Sequence, residues 1–186
     1  MKSKVLLLSA TELEHSRLSI NGIPIFITGV GKISAAHTTT ELIREYKPDL
    51  VINFGSCGNL KYHKVGQLLR IGKVHNDIDA EPFAKYGDTP FSEWSTITFD
   101  DSEHSCFSTD YFYDSSENKY SENYMKMIKS CDVIDMELYS IAQVCKSMGV
   151  PLQSFKWVSD DGSSKDWNRN AKMGYDSFEK YISDNL

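Results

Sequence analysis

Residues 23–59 read as strand, glycine turn, helix, strand and second glycine loop, and this succession constrains the fold more than any other feature of the chain. The apolar run Ile23-Pro24-Ile25-Phe26-Ile27 stops at Gly29-Val30-Gly31-Lys32. It leads into a segment whose Ile33, Ala36, Thr40 and Ile43 recur at helical spacing. Pro48 ends that helix, and Leu50-Val51-Ile52-Asn53-Phe54 makes the next strand, which runs into Gly55-Ser56-Cys57-Gly58-Asn59. The result is a βαβ unit with a glycine loop at the end of each strand.

The flanking segments extend the pattern. Val5-Leu6-Leu7-Leu8 reads as a buried strand ending in Ser9-Ala10-Thr11-Glu12-Leu13-Glu14-His15, so two carboxylates sit just past a strand's carboxyl end. Leu138, Ile141, Ala142, Cys145 and Met148 recur at i, i+3, i+4, i+7 and i+10, an amphipathic helix that Gly149 stops. Residues 151–158 read as a strand opening into Ser159-Asp160-Asp161-Gly162, and a last helix over about residues 167–182 would bury Ala171, Tyr175, Phe178 and Ile182. Between Lys61 and Asp132 the short pieces 68–74, 95–99 and 106–113 fit strand and loop equally. Strands alternating with helices predict an α/β fold, a three-layer α/β/α sandwich with a central mixed, largely parallel sheet. With no repeat, low-complexity tract or linker, residues 1–186 are expected to form a single domain.

Charge and composition narrow the function. With 26 acidic against 20 basic side chains the net charge is -6, so no basic field gathers nucleic acid or an anionic membrane surface. No apolar run approaches the ~20 residues of a membrane span or the core of a secretory signal, which predicts a cytoplasmic protein. Cys57, Cys106, Cys131 and Cys145 form no Cys-x-x-Cys pair and are expected to be reduced. His15, His37, His63, His75 and His104 are scattered, with none at His-x-x-x-His spacing, and no metal is expected. Gly29-Val30-Gly31 lacks the third glycine of a dinucleotide fingerprint, Ser34 standing there, and Ile33 follows Gly31-Lys32 where a P-loop needs Ser or Thr. No cofactor is expected.

Four strand or helix ends present acidic or small polar residues: Glu12 with Glu14, the loop 55–59, Asp135 with Glu137, and Asp160 with Asp161. Each alone also reads as a turn, a cap or an acidic first helical turn. Convergence would make one acidic pocket.

In order along the chain, 9–14, 29–32, 51–58, Ser108-Thr109-Asp110-Tyr111-Phe112, Ile134-Asp135-Met136-Glu137 and Val158-Ser159-Asp160 resemble the purine nucleoside phosphorylase / uridine phosphorylase superfamily, and within it the methylthioadenosine/S-adenosylhomocysteine nucleosidases. The resemblance implies hydrolysis of the N-glycosidic bond of an adenine nucleoside. By it Asp160 is the acid at purine N7, Glu14 activates the attacking water, and Glu137 grips the ribose hydroxyls with Met136 beneath the sugar. Phe112 would stack on the base, the Tyr113 backbone would lie at the base edge, Ser56 near sugar and water, and Lys156 where the family has an arginine beside the catalytic glutamate. The family's phosphorylases carry Gly-Asp-Pro and an arginine in the first loop and an arginine before the second. Glu12, Glu14 and Asn53 stand in those places here, which favours water over phosphate. A phosphorylase and a non-catalytic nucleoside binder are the alternatives. The resemblance also implies a homodimer, and places Asp77 to Ala80, Pro82 and Phe83 in a loop near the pocket.

Overall fold

The computed structural model describes residues 4–92, 94–117 and 119–186. In chain order the elements are β1 (Val5–Ser9), β2 (Ser19–Ile20), β3 (Ile23–Ile27), α1 (Lys32–Tyr46), β4 (Leu50–Asn59), β5 (Leu68–Asn76), β6 (Thr96–Thr98) and β7 (His104–Ser108). They continue as α2 (Glu122–Ser130), β8 (Val133–Asp135), α3 (Leu138–Met148), β9 (Leu152–Asp160), α4 (Ser164–Asn170) and α5 (Tyr175–Asn185).

The centre of the sheet is parallel: β3 pairs with β1, β1 with β4, and β4 with β9. β9 then meets β5 antiparallel, β5 and β7 run parallel, and β7 and β8 run parallel. β8 returns to the end of β4, antiparallel at Gly58 and Asn59. Five strands, β4, β9, β5, β7 and β8, thus close a ring, and β1 to β3 extend from it as an open wing.

Successive residues alternate between the two faces and residues two apart share one, as strand geometry requires. Leu6, Leu8, Val51 and Val158 pack with Ala35 and Ile43 of α1 and Leu138, Ile141 and Cys145 of α3. Leu7, Ile52, Phe54, Phe155 and Trp157 pack with Tyr175, Phe178 and Ile182 of α5, and Phe178 stacks on Phe54 at 4.3 Å between ring centroids. These two layers of helix over the sheet bear out the three-layer expectation.

Three details differ from the sequence reading. The stripe that α1 buries is Ala35, Thr39 and Ile43, and Ile33 is 86% exposed, because the strand-to-helix turn faces the helix one position away from the predicted stripe. Met148, at the end of α3, is likewise exposed. The last helix is two. Asn170 Nδ2 donates to the Ser159 carbonyl at 2.8 Å and Trp157 Nε1 donates to the Ala171 carbonyl at 2.8 Å, so the chain is tied to β9 where a continuous helix would leave it. Ala171, Tyr175, Phe178 and Ile182 are nonetheless buried as expected. In the ambiguous middle, residues 68–76 and 104–108 are strands, the stretch after Ser108 is loop, and α2 is a helix the sequence reading lacked.

Gly174 is the tightest point of that break. A Cβ there would stand 2.2 Å from Trp157 Cβ, in a wall of fully buried aromatic residues. Gly174→Ala is expected to cost about 1–3 kcal/mol or more through overpacking. Urea unfolding checks this, and a midpoint equal to wild type would refute it.

Candidate active site

The carboxyl ends of β1, β4, β8 and β9 open into one cavity of about 180 Å³. Its lining includes Glu14, Ser56, Phe112, Tyr113, Met136, Glu137 and Asp160, with Val30, Thr109, Tyr111, Asp135 and Trp167, and among the described residues contains no lysine or arginine. Residues from six separate parts of the sequence are brought together.

Glu14 enters on a single 3-10 turn, Glu12–Glu14, where the Thr11 hydroxyl accepts from Leu13 N–H. The turn points Glu12 into solvent and Glu14 inward, to 4% exposure. Glu14 Oε1 accepts from Ser56 N and Ser56 Oγ, both at 2.7 Å. Oε2 accepts from Ser9 Oγ at 3.0 Å and Ala10 N at 3.2 Å. Trp167 Nε1 donates to Ser56 Oγ at 3.0 Å, which leaves the serine hydrogen for Glu14. The close approach needs a glycine: a Cβ on Gly55 would lie 2.8 Å from Glu14 Oε1.

Glu137 sits between β8 and α3, and its Oε1 accepts from Gly31 N at 3.0 Å. Gly31, at φ 90, takes a left-handed conformation that suits glycine and aims this N–H at the carboxylate. Burial first, then the neighbouring Asp135 charge, pushes the Glu137 pKa up to about 8. Asp135 is its opposite. Burial alone would raise it, but Lys156 Nζ at 2.7 Å and hydrogen bonds from Ser108 Oγ and Leu138 N outweigh that and hold it below the usual carboxylate range. Asp135 and Ser108, whose Oγ accepts from Tyr139 N, satisfy the first amides of α3.

Asp160 closes the far side, 3% exposed. Its Oδ1 accepts from Gly162 N at 2.9 Å and Ser163 N at 3.3 Å. Ser159 Oγ lies 2.8 Å from Asp160 Oδ2 and 3.1 Å from the Cys57 carbonyl. One hydroxyl hydrogen serves only one acceptor, so a proton on Asp160 Oδ2 satisfies both contacts. Burial raises the Asp160 pKa and outweighs its three hydrogen bonds, while the neighbouring Asp161 charge adds the least of the five influences.

Of the predicted residues, Lys156 alone stands off the cavity. It is 2% exposed, behind the lining, and pairs with Asp135 rather than with Glu14. Asn53 is buried too, held by the Leu8 carbonyl and Ser154 Oγ away from the cavity. Asp77 and Ile78 of the expected pocket loop line a separate, shallower cavity with Lys32 and Tyr139. Trp167 escaped the sequence reading because a tryptophan at the start of a helix looks like a core residue; only the Ser56 contact marks it.

A raised carboxylate makes the folded state bind more protons than the unfolded one, so Glu137 favours the fold at low pH and that contribution fades as pH rises from about 4.5 towards about 8. Glu137→Gln is expected to flatten the fall in stability across this window. Denaturant midpoints at pH 5 and pH 8 test it, and a variant with the wild-type slope would refute the assignment.

Comparison with known proteins places the chain in a family and supports the fold. The 5'-methylthioadenosine/S-adenosylhomocysteine nucleosidase of Staphylococcus aureus is 29% identical over 96% of this chain and 86% of its own length. Among solved structures, futalosine hydrolase of Helicobacter pylori superposes with a TM-score of 0.83 at 20% identity, covering 99% of this chain and 98% of its own. The Helicobacter pylori 5'-methylthioadenosine/S-adenosyl homocysteine nucleosidase gives 0.82 at 20% identity, covering 98% and 97%. A family profile described as the phosphorylase superfamily matches residues 10–105 and 102–180. With that match running through both glycine loops, the acidic β8–α3 junction and Asp160, the chain belongs to the phosphorylase superfamily.

Proposed function

We propose that this protein is a purine nucleosidase that hydrolyses the N-glycosidic bond of adenine nucleosides of the 5'-methylthioadenosine and S-adenosylhomocysteine type, releasing adenine and the thioribose product. The observation that carries this is the convergence of Glu14, Glu137 and Asp160 on one cavity whose lining holds no basic side chain among the described residues. Breaking this bond builds positive charge on the ribose and negative charge on the base. Carboxylates at the sugar and a protonated acid at the base meet both needs.

Asp160, with its raised pKa, gives its proton to N7 of the departing purine. Glu14 takes the proton of the attacking water. Its Oε2 is the oxygen for this, because the Ser9 hydroxyl has the Thr11 carbonyl at 3.4 Å as a second acceptor and can release it. Ser56 and Trp167 hold the other oxygen in place. Glu137 accepts from the ribose hydroxyls above Met136, and Phe112 and Tyr113 bound the base. Lys156 acts from behind, as the counter-charge that keeps Asp135 ionised. Phosphorolysis is disfavoured because an incoming phosphate would face four carboxyl groups and, among the described residues, no basic side chain.

Incubation with methylthioadenosine, S-adenosylhomocysteine, adenosine, inosine and AMP, with and without phosphate, tests the reading. Free adenine is expected from the thio-substituted nucleosides without phosphate. Turnover only with phosphate would make the protein a phosphorylase, and binding without base release a non-catalytic binder.

A homodimer completes the proposal. Val30 and Phe112 line the cavity yet are 55% and 38% exposed, and Ile33 beside them is 86% exposed, so a second copy would cover the mouth. Light scattering should give twice the chain mass; a fully active monomer would refute it. The cytoplasm is the compartment proposed, supported by four unpaired, buried cysteines.

A further inference from the structure

The geometry points to a divalent transition-metal site, fit for zinc, built by His63, His104 and Asp132. One ligand atom from each lies within 4.8 Å of the others. The three come from the loop after β4, the start of β7 and the residue before β8. Asp132 lies three residues before Asp135, so the cluster is roughly 10 Å from the nucleoside cavity along β8, at the opposite end of the strand.

Three observations favour a ligand over a merely structural cluster. His63 Nε2 is buried without a hydrogen-bond partner, and Asp132 Oδ1 is 3.6 Å away, too far to bond. Ligand atoms around a tetrahedral zinc are about 3.3 Å apart, so that separation suits two ligands of one ion. The His104 ring stands edge-on to His63, at 90° and 5.3 Å between centroids, so small side-chain rotations bring the third donor in.

The carboxylate is already prepared. Asp132 Oδ2 accepts from Ser105 N and Ser105 Oγ, both at 2.8 Å, which orients Oδ1 towards the histidines. The histidine loop is fixed as well: Asn59 Nδ2 donates to the His63 carbonyl, and Leu60 N donates to the Asp132 carbonyl. Two imidazoles and one carboxylate suit zinc or its neighbours and not calcium or magnesium, which take oxygen ligands. Lys61 Nζ, 3.0 Å from Asp132 Oδ1, is the cation that an ion displaces, and at 43% side-chain exposure it can swing into solvent.

Metal-stripped protein titrated with Co²⁺, read by its visible absorption, and then with competing Zn²⁺ tests the site directly. One equivalent is expected to bind. His63→Gln and Asp132→Asn should weaken it at least tenfold, His75→Ala should leave it unchanged, and Lys61→Met should tighten it severalfold by removing the competing charge. His63→Gln, in a loop, keeps the test valid if Asp132→Asn fails to fold. Absence of saturable one-to-one binding, or equal affinity in His63→Gln and wild type, would overturn the site.

Discussion

Replacement of Asp160 by asparagine is expected to lower kcat by about 10²- to 10⁴-fold, with KM changed little. The substitution is nearly silent for the fold. The asparagine oxygen can keep the hydrogen bonds from Gly162 N and Ser163 N, and its NH₂ replaces the proton that Asp160 Oδ2 presents to Ser159 Oγ. What is lost is the proton that the departing base needs. Activity of the wild type should fall as pH rises through the raised pKa of Asp160, and this limb should vanish in Asp160→Asn. Asp161→Asn should barely move it, because burial and not the exposed neighbour dominates the shift. Steady-state rates between pH 5 and 9 decide. An Asp160→Asn variant that keeps most of its kcat would remove Asp160 from the chemistry.

Glu14→Gln is the second large loss, again about 10²- to 10⁴-fold in kcat, for the opposite reason: the cavity loses its base and keeps its acid. Ser56 N and Ser56 Oγ both donate at 2.7 Å, so they select the amide oxygen. The NH₂ then meets Ser9 Oγ, which can accept, and Ala10 N, which cannot. One buried donor left unpaired costs about 1–3 kcal/mol of stability, so the variant should fold with a lowered melting temperature. Binding of the released base, adenine, should survive. Calorimetry with adenine beside the rate measurement separates a lost base from a lost pocket. Unchanged turnover would leave only a structural role for Glu14.

The ease of reading Glu14, Glu137 and Asp160 from the sequence has a physical basis. Each lies directly after an apolar strand or before an amphipathic helix, where strand period and glycine turns fix the local geometry. Lys156 shows the limit of the same reasoning. It follows Phe155 on β9 at a place where family position implies a role at the pocket, yet side chains alternate along a strand, and its ammonium reaches Asp135 behind the lining. Trp167 is the reverse case, a pocket residue with no local signature. The helix α2 and the three-residue strand β8 were illegible because tyrosines and β-branched residues there satisfy strand and helix patterns alike, and packing against Phe107 and Ile134 settles them.

The sequence by itself determined the layers and most of the strand residues they bury, though not the face that α1 turns inward: apolar strands alternating with amphipathic helices call for helices on both faces of the sheet. It also determined which carboxylates end strands. Only the tertiary structure decided which of those carboxylates share a cavity, which is turned to solvent, as Glu12 is, and which is neutralised from behind, as Asp135 is by Lys156. The reason is the ring that closes when β8 returns to β4 through the pairing of Gly58 with Ile134, a contact across 76 residues that no local pattern encodes. Burial and charge around Glu137 and Asp160 follow from that closure, and with them the proton affinities on which the proposed chemistry rests.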